Sequence, residues 1–323
     1  MKIGELRKGQ GRIPASMRNS LENFARKTEV IVDSFAEPLE AVPPPTLIFH
    51  YTSDTGLRGI IETGKLWLTD IFNLNDPSEL RHGCNPATEF LIAEENDKRP
   101  KIKQFASNLS AMLQGGIEEV GHFFVLSFSE AGDDLGQWRA YADNGRGYAL
   151  GFDARALEDI YAKGGPGNMT FPVSYDESEL RQMHRQIIDE VYPLISMPRG
   201  RNLRGEAVNE YMSELLRSLT VPIIRAALFF KHKAYSNEQE YRFLKLFMAG
   251  SVMPDLQYRS RSHSLVRYLE FDWRSLVPGS LRKIVLGPAA DRDKAPRFVN
   301  DCLRAFHVGA VEISHSEIPY RAV

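Results

Sequence analysis

Residues 47–70 read LIFHYTSDTGLRGIIETGKLWLTD, and this stretch decides the class of fold. LIFHYT is a short apolar run, the pattern of a strand. Ser53 or Asp54 caps the helix that follows, and Gly64 after LRGIIET suits its stop, because glycine enters the left-handed region at a helix C-terminus without a Cβ clash. KLWLTD is then a second strand.

Strands and helices continue in both directions from this unit. Upstream, residues 1–46 predict a peripheral N-terminal arm: a polar, basic opening, a short amphipathic helix around Ser20 to Phe35, and the stiff spacer Pro43-Pro44-Pro45. Downstream, a long helical zone from about Pro86 to Leu113 ends at Gly115-Gly116. HFFVLSFSE (122–130) is a strand, DDLGQWRAYADNG (133–145) a helix closed by Asn144-Gly145, and GYALGFD (147–153) a strand. Two helical stretches, about Asp176 to Ile195 and Gly205 to Phe230, precede the strand EYRFLKLF (240–247). LVRYLEFD (265–272), KIVLGP (283–288), a helix through Arg297 to Phe306 and AVEISHSEIPY (310–320) follow. No regular βαβ repeat is present, so the expected class is α+β. One domain over residues 47–323 is expected, with a helical insert at about 176–230 and a C-terminal α/β unit at about 283–321.

With 323 residues, 43% hydrophobic and 25% charged, the chain can bury a full core. A formal net charge of -2 provides no broad positive field for coating nucleic acid, and leaves room only for a local basic groove. Cys84 and Cys302 are the two cysteines, too far apart for a zinc or redox motif, which fits a cytoplasmic protein without disulfides. No apolar run follows the basic opening and none reaches the roughly 18 residues of a membrane span, so neither a cleaved export signal nor a membrane partner is expected.

The phosphate-binding GxxxxGK[ST] loop, a GxGxxG opening a helix, HExxH and CxxC are all missing. GGPGN (164–168) has ordinary turn chemistry. Three clusters stand out. In the first, Phe49-His50-Tyr51-Thr52, a titratable ring interrupts an apolar strand on the face opposite Phe49 and Tyr51; a core histidine satisfied by backbone carbonyls is the competing role. In the second, Ser127 and Ser129 share a strand face, while Trp138 and Tyr141 share a helix face as either core aromatics or a ligand platform. In the third, Glu238, Glu240 and Arg242 project together at the start of a strand, marking either a charged edge or a cleft.

Taken together, FHYTSDTGLRGIIETGKLWLTDIFNLNDPSEL (49–80), SFSEAGDDLGQWRAYADNGRGYALGF (127–152), KHKAYSNEQEYRF (231–243), KIVLGP and SEIPYR (316–321) resemble a widespread bacterial family known only as a domain of unknown function. Its HYT, NDP and ExEYR elements occur in order. The same order of parts is more distantly similar to the ADP-ribosyltransferase superfamily of toxins, polymerases and RNA phosphotransferases, especially its histidine-tyrosine-glutamate class. In that class a strand histidine precedes a helix and a glycine-led strand, a helical tyrosine precedes another strand, and a glutamate before a tyrosine opens a later one. His50, Tyr141 and Glu240 match. Glu238 resembles the acceptor-positioning residue of the arginine-serine-glutamate class, and Ser127 to Ser129 its serine motif.

The resemblance implies a split mixed or antiparallel sheet of ADP-ribosyltransferase-like type and an enzyme that cleaves NAD, its substrate. Glu240 and Glu238 become the catalytic carboxylates. His50, Tyr51, Thr52, Tyr141, Ser127 and Ser129 become the dinucleotide contacts, with Asn75, Asp76, Arg139 and Arg242 at the rim and no metal. The chemistry suits these residue types, since an oxocarbenium-like centre is stabilised by a carboxylate and an aromatic face can hold the nicotinamide. The acceptor, protein or nucleic acid, is left open, as is a setting in bacterial defence, toxicity or stress. The segments between Tyr148 and Phe230 and beyond Lys283 exceed the minimal transferase core. Two rivals remain: a non-catalytic module that binds a nucleotide or partner, and a nucleic-acid end-processing enzyme using Arg139, Arg146, Lys231, Lys233 and Arg242 for phosphate contacts.

Overall fold

The computed structural model describes residues 13–73, 78–93, 100–115, 121–165, 167–200, 205–248, 250–261 and 263–320. Asn75, Asp76 and Pro77 therefore lie outside the described residues.

In chain order the elements are α1 (Ala15–Glu40), β1 (Leu47–Thr52), α2 (Asp54–Thr63), β2 (Lys65–Asp70), α3 (Ser78–Ala93), α4 (Pro100–Gly115), β3 (Gly121–Ser129) and α5 (Leu135–Tyr141). There follow β4 (Tyr148–Asp153), α6 (Ala154–Lys163), β5 (Asn168–Pro172), α7 (Glu177–Gly200), α8 (Glu206–Leu228) and β6 (Glu240–Met248). The chain continues through β7 (Gln257–Arg261), β8 (Ser264–Asp272), α9 (Trp273–Leu276), β9 (Leu281–Leu286), α10 (Lys294–Ala305) and β10 (Glu312–His315). The β1–α2–β2 unit forms as its local signals dictate: the Ser53 hydroxyl accepts from Gly56 N, and Gly64 closes α2 at φ 68°. The expected helical zone over 86–113 is instead two helices, with Pro100 opening the second, where a missing N–H costs nothing.

Ten strands among the described residues form one mixed sheet in which β10 runs parallel to β9 and the other pairings are antiparallel. The organising strand is β3. Along one edge it pairs with β6 from Gly121 to Ser129. Its other edge is shared: Ser129 pairs with Phe49 of β1, whereas Val125 and Phe124 pair with Thr69 and Asp70 of β2. The sheet thus forks at Leu126, Ser127 and Phe128. β9 and β10 extend the β1–β4 arm, so the C-terminal unit belongs to the same sheet.

Strand alternation sends the two faces of β3 into different cores. Phe124, Leu126 and Phe128 join α2, α6 and α10, while Phe123 and Val125 join α1, α3, α4, α7 and α8. A third cluster on the second face sets Trp138 of α5 against Tyr51, Ala149 and Val285. Within the arm expected at residues 1–46, the helix Ala15–Glu40 packs into the core. α1 is longer than the forecast helix and buries Met17, Leu21, Phe24, Val32 and Ala36 against α7 and α8, each large side chain contributing about 1.5–3 kcal/mol through burial. The helical insert, α7 and α8, thus packs in one layer with α1, α3 and α4.

Candidate functional site

Where the fork opens, the second face carries a compact charged network. β6 begins at Glu240, and just before it Gln239 takes a left-handed backbone (φ 42°) at the end of the 3-10 turn Lys233–Glu238. The reversal removes Glu238 from the strand. Lys231 brings it back, because its ammonium donates both to Glu238 Oε2 at 2.6 Å and to Glu240 Oε2 at 2.9 Å. The second Glu240 oxygen accepts from the Ser127 hydroxyl at 2.6 Å and from Arg242 Nε at 2.8 Å. Arg242 also donates to the Leu228 carbonyl at 2.8 Å.

Glu240 is 4% exposed and Arg242 1%. Burial by itself pushes the Glu240 carboxyl upward, but the charges of Arg242 and Lys231, with the Arg242 and Ser127 hydrogen bonds, more than offset it and hold the pKa down at about 2. The group is a permanent anion near neutral pH. Tyr141, 37% exposed, brings its hydroxyl to 3.4 Å from Glu238 Oε1, and its pKa is pushed up to about 12, first by burial and next by the Glu238 charge.

His50 approaches from the other side of the fork. It alternates with Phe49 and Tyr51, its ring meets Phe128 edge-on at 6.0 Å, and its Nδ1 lies 3.4 Å from the Ser127 carbonyl. A carbonyl only accepts, so Nδ1 carries the proton and Nε2 is the acceptor. Burial lowers the His50 pKa, and the nearby Arg259 charge acts in the same direction against the Ser127 hydrogen bond. Ser127 therefore joins the two sides, with its carbonyl toward His50 and its hydroxyl on Glu240.

The other forecast site residues separate into different roles. Tyr51 is a structural pin: its hydroxyl donates to Ala131 O at 2.7 Å and accepts from Asp134 N at 3.1 Å, with its ring against Trp138. Ser129 donates to the Glu238 carbonyl and accepts from Ala131 N, which fixes the turn over the network. Thr52 is packed at the start of α2, where a Cβ on Gly56 would fall 1.9 Å from its Oγ1. Arg242, expected at the rim, is instead buried, because its strand face lies beneath the helical layer. Arg139 is exposed on α5.

Two residues escaped the sequence reading. Tyr175, just beyond β5, accepts from Glu240 N at 2.9 Å; its place after NMTFPVS carried no signal of that long-range contact. Arg259 lies on β7, which QYRSR is too polar to announce as a strand. Its guanidinium stands 5.2 Å from the Trp67 ring centroid, and its Nε is buried without a partner among the described residues. Among those residues no group of three or more His, Cys, Asp and Glu side chains could hold a metal ion, and no helix is long and apolar enough to cross a membrane.

Neither a curated protein nor a solved structure matches the chain. Residues 137–243, from α5 into β6, match the family model described as "Protein of unknown function (DUF2971)"; Tyr141, Glu238, Glu240 and Arg242 fall inside the match, and His50 and Ser127 outside it.

Proposed function

We propose that the chain cleaves the nicotinamide–ribose bond of NAD and passes ADP-ribose to an acceptor, in the manner of the histidine-tyrosine-glutamate transferases it resembles. The observation that supports this reading is the fork at Ser127, whose carbonyl faces His50 and whose hydroxyl bonds Glu240, so that one residue links the two groups. In the reaction the C1′–N bond breaks with its electron pair leaving on nicotinamide, which neutralises the ring's charge. Glu240, a permanent anion, stabilises the positive charge developing at the ribose. An acceptor oxygen then bonds to C1′ and its proton passes to Glu238, the less buried carboxylate. Tyr141 offers an aromatic face for nicotinamide, and His50 a ring nitrogen for a ribose hydroxyl.

A second reading has one observation in its favour. Glu240 is already engaged by Ser127, Lys231 and Arg242, as suits a rigid clamp in a nucleotide-binding module without turnover. One experiment separates the two. Nicotinamide release and NAD binding are measured on wild type and on Glu240→Gln, at a temperature where circular dichroism shows both folded. The transferase reading expects release to slow by about 100- to 1000-fold with binding retained. Binding without release in the wild type supports the clamp, and full turnover in the variant removes Glu240 from the chemistry.

A further inference from the structure

Lys231 also lines a cleft of about 420 Å³, bounded by α3, the start of α7 and the 3-10 turn Lys233–Glu238. That volume suits a small ligand larger than a simple anion. Its polar lining is weighted toward positive and imidazole groups: Arg81, His82, Lys231 and His232 against one carboxylate, Glu177, which has Arg181 at 4.0 Å. The His82 and His232 rings meet edge to face at 4.9 Å. His232 Nδ1 accepts from Ala234 N at 3.1 Å, so its ring proton resides on Nε2, which is left as a donor. Arg81 is exposed at the mouth. The Lys231 ammonium bonds the two glutamates and stands 5.1 Å from the centroid of the Tyr235 ring. Phe230 and Leu180 supply apolar wall.

We propose that this cleft binds the phosphate monoester of a nucleotide, with Arg81 and the two imidazoles on the phosphate and Tyr235 against the base. A guanidinium and two imidazole N–H donors match a doubly charged, multiply accepting phosphate. An aromatic ring and an apolar wall match a nucleobase. The cleft shares Lys231 with the network around Glu240, whereas Arg81 and His232, the residues the test changes, make no hydrogen bond to Glu238 or Glu240 among the described residues. The same chemistry can arrive as a free mononucleotide or as the terminal phosphate of a nucleic-acid strand.

Titration calorimetry on the full chain tests this with AMP, adenosine, inorganic phosphate, and a short single strand with or without a 5′-phosphate. AMP is expected to bind, adenosine to bind at least about tenfold more weakly, and phosphate to compete with AMP. Arg81→Glu is expected to weaken AMP by about tenfold or more and His232→Gln by a smaller factor, with unchanged circular dichroism and unchanged nicotinamide release. Binding of the 5′-phosphorylated strand but not its 5′-hydroxyl counterpart identifies a strand end as the ligand; binding of AMP alone identifies a free nucleotide. Absence of AMP binding at millimolar concentration, equal binding of adenosine, or AMP binding that neither variant weakens overturns the proposal. The phosphate competition uses wild-type protein alone and holds even if a variant fails to fold.

Discussion

The Ser127 hydroxyl donates to Glu240 at 2.6 Å across the β3–β6 pair, and this bond ties the fork of the sheet to the buried ion network behind it. Because Ser127 stands opposite Arg242 in register, with Glu240 opposite Ser129, the contact is diagonal and needs both strands in place.

Removing either partner has a different cost. Glu240→Gln takes the Glu240 charge away from buried Arg242 and leaves Lys231 with Glu238, and is expected to destabilise the fold by about 3–5 kcal/mol. Ser127→Ala removes one hydrogen bond to a charged group and is expected to cost about 1.5–3 kcal/mol. Urea unfolding of both variants measures this. A change below about 0.5 kcal/mol in Glu240→Gln, the scale of a surface charge, means the network does not form in solution.

The same network makes an acid limb. The folded pKa of Glu240 lies at about 2, below the ordinary 4.5, so the stabilisation is fully present above the unfolded value and is lost as pH falls through the folded one. The stability gap between wild type and Glu240→Gln is therefore expected to narrow as pH is lowered from 5 toward about 2. A gap that stays constant over this window contradicts the assignment.

His184 supplies a second, milder limb. It is fully buried beneath α8 with Nε2 3.4 Å from the Ile223 carbonyl, and burial lowers its pKa from 6.5 to about 4. The unfolded chain binds the proton more tightly, so stability falls as pH drops from 6.5 toward 4, by on the order of 3 kcal/mol. His184→Met is expected to flatten the stability profile over that interval. A profile as steep as wild type places the acid sensitivity elsewhere.

Trp138 is fully buried, meets Tyr51 edge-on at 4.8 Å and donates from Nε1 to Asp133 at 2.7 Å. Asp133 in turn accepts from Ser316 Oγ and Glu317 N, so one carboxylate ties α5 to the C-terminal segment. Trp138→Ala is expected to cost about 3–5 kcal/mol, read as a lower denaturation midpoint. An equally stable variant that has lost ligand binding makes Trp138 part of the ligand platform instead.

The β1–α2–β2 unit was legible in the sequence because its causes are local: an apolar strand run, the Ser53 cap and the Gly64 stop act over a few residues. The burial of Trp138 and the clustering of Glu238 with Glu240 were likewise foreshadowed by short spacings, although Gln239 turns the chain between the two acids. The remainder depended on partners far apart in sequence. Ser127 and Glu240 are 113 residues apart, and no periodicity records that pairing. The burial of Arg242 depends on which strand face the helical layer covers, and the place of α1 in the core depends on apolar stripes on α7 and α8. By itself the sequence determined those elements whose strand runs, caps and apolar stripes lie among neighbouring residues, and it left α6, β5 and β7 unannounced. Only the tertiary structure decided where the sheet forks and which charges share Lys231, because non-local strand register and packing bring those groups together.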